Sequence, residues 1–265
     1  MFRENFHTHT IYCDGKNTAR EMIEQALSLK FDALGFSGHA HTGFPSSWSM
    51  TEENTEKYIE EITALKSEYS DRIRIYLGTE LDYFSIFSKE RYDYTIGSVH
   101  YLECDGEFWP VDSSAKEQIE CAEKYFGGSL YNYAGKFFEY AGDVIRKTDA
   151  DIIGHFDLVT KFNENNALFD VSDKRYINAW IDAADRLIET GRPFEINTGA
   201  IARGLRTSPY PAMDMTEYIN SKGGCFIVTS DCHYREKLDW AFEDTYKVYS
   251  KFRIISFDEL IRSRE

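Results

Sequence analysis

Phe2-Arg3-Glu4-Asn5-Phe6-His7-Thr8-His9-Thr10 is a β-compatible segment that runs directly into two histidines spaced i, i+2. On an extended strand end, residues two apart point the same way, so both imidazoles converge on one point. Imidazole is the commonest side-chain metal ligand. The rest of the chain repeats the arrangement. Residues 32–37 form an apolar run that delivers Gly38-His39-Ala40-His41, residues 73–80 end in Glu80, and residues 94–100 end in His100. Residues 151–155 end in His155, residues 193–197 make a sixth strand, and residues 225–231 lead into Asp231-Cys232-His233. Strand followed by helix, seven times over, predicts a parallel α/β sheet. An open sheet concentrates its chemistry at one switch point, whereas here ligand-type residues follow nearly every strand, so the spacing predicts a closed barrel.

The helical segments are marked by their caps. Thr18 and Glu21 fit a capping box ahead of an apolar helical face, and residues 51–69 read as a charged amphipathic helix. The connection over 103–150 is longer than a plain crossover. It holds a turn at Asp105-Gly106 and predicted helices near 115–126 and 130–147, and reads either as a lid or as ordinary packing against the barrel. Further helices are predicted over 172–190 (stopped by Gly191), 213–221 and 239–249, with another at the C-terminus. No linker, repeat or low-complexity run interrupts the chain, so residues 1–265 are expected to form a single domain.

Length and composition bound the function. The chain has 265 residues, 42% apolar and 15% aromatic, enough for a full α/β core. Its net charge of −15 argues against nucleic acid or an anionic membrane surface as partner. An anionic small molecule is still compatible, because bound divalent cations reverse the local sign. The five cysteines form no CxxC pair and are odd in number, which suits a reducing, cytoplasmic setting. No signal-like segment or membrane-length apolar run is present, so a soluble protein is expected.

The candidate ligands are His7, His9, Asp14, His39, Glu80, His100, His155, Asp231 and His233. A lone histidine after a strand is usually a packed or surface residue. Six of the seven histidines lying at the ends of five separate strands is a pattern that scattered core histidines would not make. His41 lies beyond its strand end and reads equally as a substrate-binding or an exposed residue. A catalytic zinc takes three protein ligands, so this many groups implies two to three divalent ions. Glu80 is the natural bridge, because a carboxylate offers two oxygens where a neutral imidazole offers one nitrogen. Mixed imidazole and carboxylate ligands suit zinc, manganese or iron.

The motifs HTHT (7–10), SGHAH (37–41), GTELDY (78–83), GSVHYL (97–102), IIGHFD (152–157), EINTGA (195–200) and SDCH (230–233) resemble those of the PHP (polymerase and histidinol phosphatase) family. The resemblance covers essentially the whole chain. Within the family it is strongest to the monofunctional histidinol-phosphate phosphatases, through HFDLVTKF at 155–162 and the EINTGAIARGLR loop. It implies a distorted seven-stranded (β/α)7, TIM-like barrel with a trinuclear metal centre. One ion would be held by His7, His9, Glu80 and Asp231, a second by Glu80, His100 and His155, and a third by His39, His233 and Asp14. Many family members carry histidine where this chain has Asp14, so the third site would be weaker or prefer a harder metal.

The resemblance also implies hydrolysis of a small-molecule phosphate monoester, histidinol phosphate in histidine biosynthesis, by a hydroxide activated between ions. Arg203 is the expected phosphate fork, with Arg206 and Lys161 as further substrate-binding candidates. Asp14, His233 or water would protonate the leaving alkoxide. Tyr12, Phe44, Trp48, Tyr101 and Trp109 are candidates to shape the pocket. Other phosphate esters (phosphotyrosine protein, nucleotide or sugar phosphate) and a non-catalytic, metal-loaded regulatory module are the competing readings. Assembly into a homo-oligomer is left open by the sequence.

Overall fold

The computed structural model describes residues 2–262. Nine strands occur in it: β1 (Glu4–Asn5), β2 (Ala33–Phe36), β3 (Arg74–Asp82), β4 (Tyr94–Ser98), β5 (Tyr101–Cys104), β6 (Glu107–Pro110), β7 (Ile152–Ile153), β8 (Phe194–Asn197) and β9 (Phe226–Thr229). Seven of them form one sheet in the order β1-β2-β3-β4-β7-β8-β9, and every neighbouring pair is parallel. Strands β2, β4, β7 and β9 are short and buried throughout, as a sheet covered by helices requires.

The ring closes at its C-terminal end. Thr8 and Cys232 form a parallel bridge, with the His9 amide 2.9 Å from the Cys232 carbonyl and the Cys232 amide 3.1 Å from that of His7. Asn5 reinforces this seam. Its side-chain amide donates to Ser230 Oγ (2.5 Å) and to the Leu238 carbonyl (2.9 Å), while its Oδ1 accepts from the His7 amide (3.1 Å). The architecture is therefore a TIM-like barrel of seven strands, distorted because the first and last strands join only beyond their ladders.

Tyr94 fills the barrel interior. Its hydroxyl donates to the carbonyls of Phe6 (2.7 Å) and Phe36 (3.1 Å). A Cβ at Gly35 or Gly78 would lie 2.4 Å from atoms of this side chain, so only glycine on β2 and β3 leaves room for it.

Helices α1 (Ala19–Ser28) and α2 (Glu52–Glu68) start at the expected caps, and the Thr18–Glu21 capping box is formed. In the 103–150 connection, β5 and β6 make an antiparallel hairpin about the predicted turn, where only the turn had been anticipated. Helix α3 (Ala115–Tyr125) follows. The helix expected near 130–147 is two, α4 (Leu130–Ala141) and α5 (Val144–Thr148), broken at Gly142-Asp143. Tyr133, Phe137 and Phe138 on α4 are buried in the main core, and Phe138 meets Phe156 and Tyr176 edge-on or tilted. The helices of the insert are thus packed rather than lid-like. Helices α6 (Lys174–Ile188), α7 (Gly199–Ala202), α8 (Met213–Ser221), α9 (Phe242–Val248) and α10 (Phe257–Arg262) complete the fold. α9 starts later than the expected 239 because Ala241 at its N-cap is left-handed (φ 62°).

Candidate metal centre

Parallel strands place the same end of every strand at one mouth, and that is where the polar residues gather. Glu80 lies at the centre. Its Oε2 is 3.0 Å from His7 Nε2, 2.9 Å from His39 Nδ1 and 3.6 Å from His9 Nε2. Its Oε1 is 2.9 Å from His155 Nε2 and 3.3 Å from His100 Nε2. Asp231 Oδ1 faces His9 Nε2 (3.2 Å) and His7 Nε2 (3.7 Å). Asp14 reaches His233 Nε2 at 3.0 Å through Oδ2 and His39 Nε2 at 3.7 Å through Oδ1.

Four overlapping groups of ligand atoms result: His7, His9 and Asp231; His7, Glu80 and His155; His39, Glu80 and His100; and His9, Asp14, His39 and His233. All nine candidates are brought together. Several of these atoms, including His7 Nε2, His9 Nε2, His39 Nδ1, Glu80 Oε2 and Asp14 Oδ1, are buried without a hydrogen-bond partner. Buried polar atoms are seldom left so. Donors about 2.05 Å from a tetrahedral ion stand about 3.3 Å apart, which is the spacing seen here. The donor set fits divalent metal.

The electrostatics agree. Burial alone would raise the Glu80 carboxyl, but His7, His39 and His100 outweigh it and hold it well below the usual carboxylate range. Asp231 is likewise held down, against burial, by Arg203 and His7. Burial, joined by the neighbouring His233 and His39, lowers His9 to about 3, so its imidazole is neutral and able to ligate. Asp231 adopts a left-handed backbone (φ 47°), which aspartate tolerates better than most residues and which belongs with a site rather than a strand.

Several supporting residues escaped the sequence reading. Glu195, wholly buried on β8, accepts from His7 Nδ1 (2.6 Å) and from the His155 amide (3.0 Å), which leaves His7 Nε2 for the cluster. Asp82 accepts from the His100 amide (2.7 Å), and Ser98 donates to Glu80 Oε1 (2.7 Å). The signal was the period of two: Asp82 follows Glu80, and Glu195 precedes Asn197, by two residues on strands whose alternate positions face inward.

A cavity of about 330 Å3 opens over the cluster, with Asp14, His39, His100, His155, Asp231 and His233 in its floor. Arg203, Lys161, Lys16 and Asp112 stand around it. Arg203 donates to Asp231 Oδ2 (2.9 Å), and Gly199 makes this approach possible, since a Cβ there would lie 2.9 Å from Asp231. Lys161 donates to Asp112 Oδ2 (2.9 Å). Of the five aromatic candidates, Trp48 lines the cavity, stacked on Tyr101 at 5.2 Å, whereas Tyr12, Phe44, Tyr101 and Trp109 do not.

Two expected substrate contacts are corrected. Arg206 points away from the cavity, bonding Asp157 (3.3 Å) and Thr160 and lying over the Tyr210 ring, because a buried carboxylate there needs a cation. His41 donates from Nδ1 to the Met50 carbonyl (3.1 Å) and lines a separate cavity beside α2. Both histidine pairs lie just beyond a strand, each with only an isolated bridge, yet the i, i+2 spacing brings His7 and His9 into one cluster and separates His39 from His41.

The PHP domain family profile matches residues 5–199. The chain is 28% identical to a probable histidinol-phosphatase of Deinococcus radiodurans, over 91% of this chain and 90% of that one. It is 27% identical to a histidinol-phosphatase of Bacillus subtilis, over 92% and 98%. Among solved structures, a putative histidinol phosphatase of Listeria monocytogenes superposes with a TM-score of 0.77 at 20% identity, covering 93% of this chain and 99% of that chain. The histidinol phosphate phosphatase of Lactococcus lactis, solved with zinc, L-histidinol and phosphate, gives 0.72 at 19%, covering 95% of each. Among the described residues no helix is long and apolar enough to cross a membrane.

Proposed function

The chain belongs to the PHP domain family, and from that premise we propose that it is a metal-dependent phosphate monoester hydrolase that converts L-histidinol phosphate and water to L-histidinol and phosphate. The observation that carries the reading is the cluster of imidazoles and carboxylates centred on Glu80, open to a cavity rimmed by Arg203 and Lys161. The relatives named for this activity align over nearly their full length.

Two to three divalent ions would be held, one by His7, His9, Glu80 and Asp231, one by Glu80, His100 and His155, and one by His39, His233 and Asp14. Zinc is the first choice, from the Lactococcus structure, and manganese or iron suits the same ligands. Bound ions supply Lewis acidity for phosphoryl oxygens and ionise water near neutral pH. The chain does the rest. Glu195 and Asp82 fix the ligand imidazoles. Arg203, kept cationic by Asp231 against the cost of burial, offers its fork to phosphate. Lys161, also lining the cavity, adds a point charge. With the third ligand set empty, the Asp14–His233 pair, 3.0 Å apart and lining the cavity, would be the proton source for the leaving alkoxide. The same pair belongs to the third ligand set, so occupancy of that set and proton donation from it exclude each other.

Helices of the insert share the barrel's core, which supports residues 1–265 as one catalytic domain. The substrate puts the enzyme in histidine biosynthesis, and we take the cytoplasm as its compartment, in keeping with five free cysteines. The test is phosphate release from L-histidinol phosphate by metal-analysed protein beside Glu80→Ala. Saturable turnover with KM between about 1 μM and 1 mM, lost in the variant together with bound metal, is expected. No release from fully metallated protein would discard the histidinol assignment and send the search to other phosphate monoesters.

A further inference from the structure

We propose that Asp112 recognises the ammonium group that the substrate carries two carbons from its ester oxygen. The inference rests on the functional reading above, since it takes the substrate to be the phosphate ester of an amino alcohol. Such a molecule is a zwitterion. The features that attract its phosphate (metal ions, Arg203 and Lys161) repel its ammonium, so the cavity needs a carboxylate of its own for that end.

Three carboxylates line the cavity: Asp14, Asp112 and Asp231. Asp14 and Asp231 belong to the groups of ligand atoms, and Asp112 belongs to none of them. Asp112 is also fixed in place. The preceding Val111 amide donates to the His100 carbonyl (2.8 Å), and Gln118 donates to the Val111 carbonyl (2.7 Å), so the segment is tied to the backbone of a candidate ligand. Lys161 takes Asp112 Oδ2 (2.9 Å) and the Asp112 carbonyl (2.7 Å). The other oxygen, Oδ1, makes no hydrogen bond among the described residues, and the side chain is 24% exposed. The wall therefore presents a cation and an anion side by side, the complement of a substrate whose own charges are separated by a short chain.

The competing role is purely positional: Asp112 could serve only to hold Lys161. Binding of two matched, non-hydrolysable ligands separates the two. Calorimetric titration of the metal-loaded protein with 3-aminopropylphosphonate and with propylphosphonate measures what the ammonium contributes. A hydrogen bond to a charged group predicts a preference of about tenfold or more for the amine. Asp112→Asn, nearly isosteric, is expected to abolish that preference. Lys161→Met should weaken both ligands alike and keep their ratio. An equal loss for both ligands in Asp112→Asn, with the ratio intact, overturns the proposal in favour of positioning. So does a wild-type protein that binds both ligands equally. Phosphate release from L-histidinol phosphate is measured in parallel. Its absence would sink the functional reading, while the affinity ratio, which needs no turnover, would still decide the role of Asp112.

Discussion

The two ends of the barrel bury side chains equally well and by opposite means. At the N-terminal end Phe6 stacks on Phe257 of α10 (centroids 3.7 Å, planes 7° apart), and Tyr76 and Tyr94 meet the same ring edge-on. Polar groups beside that stack find partners in the chain itself, the Phe257 amide on Glu4 Oε1 (2.8 Å) and the Tyr94 hydroxyl on the Phe6 carbonyl (2.7 Å). At the C-terminal end six imidazoles and three carboxylates are brought together with partners missing. The first end is complete as folded. The second becomes complete only with ions, so it trades stability for chemistry, whereas aromatic burial at the first contributes stability outright.

Removing the ions should break the comparison most sharply. Chelation is expected to abolish phosphatase activity and to lower unfolding free energy by about 3–4 kcal/mol relative to protein at 100 to 1,000 times the metal Kd. Re-addition of zinc should restore both, as read by phosphate release and denaturant melts. Phe257→Ala at the other end should cost about 3–5 kcal/mol while leaving kcat of the folded fraction within about twofold. A comparable loss of kcat there would mean that the two ends are coupled and that the division drawn above is wrong.

The polar end was far more legible than the seam or the outer supports of the site. Ligands such as His100 and His155 announce themselves because a polar residue closing an apolar run has no structural reason to be there. Glu195 lies inside such a run, between Phe194 and Ile196, and looks like a strand residue until β8 is seen to turn it toward His7. Arg203 and Arg206 are three apart in one loop, and only the family resemblance favours Arg203. What separates them is the carboxylate each meets: Asp231 at the mouth for one, Asp157 beneath it for the other. His39 and His41 divide in the same way. They share the i, i+2 spacing of His7 and His9 and, like them, follow the end of a strand, so spacing alone does not set direction there. The hairpin β5–β6 was missed because its strands are short and it stands outside the barrel's alternation.

Glu195 offers an intermediate test, because it belongs to the polar end yet sits behind the ligands. Glu195→Gln keeps the shape but weakens the hold on His7 Nδ1–H. Metal affinity by chelator competition should fall about 10–100-fold, the usual cost of losing a partner behind a metal ligand. The metal-free variant should melt close to the metal-free wild type. If instead the metal-free protein is strongly destabilised and affinity is unchanged, Glu195 is a packing residue and the polar end extends less deeply than its geometry implies.

The smallest expected effect returns to the apolar end. Glu4 is the buried carboxyl beneath the aromatic stack, and burial raises its pKa above 4.5, opposed by the hydrogen bond from the Phe257 amide. A carboxyl raised in the folded state binds its proton more tightly there than in the unfolded chain. Its contribution is therefore most favourable below about pH 4.5 and declines as pH rises through the folded pKa, leaving a penalty at neutral pH. Glu4→Gln keeps an acceptor for the Phe257 amide and removes the charge. It should stabilise the protein at pH 7, and the gain should vanish below about pH 4.5. Denaturant melts at pH 4 and pH 7 measure it. A loss of stability at pH 7 would show that the ionised carboxylate is needed by its hydrogen bond more than it is penalised by burial. In that case the apolar end, too, would depend on a buried charge, and the contrast between the two ends would be one of degree.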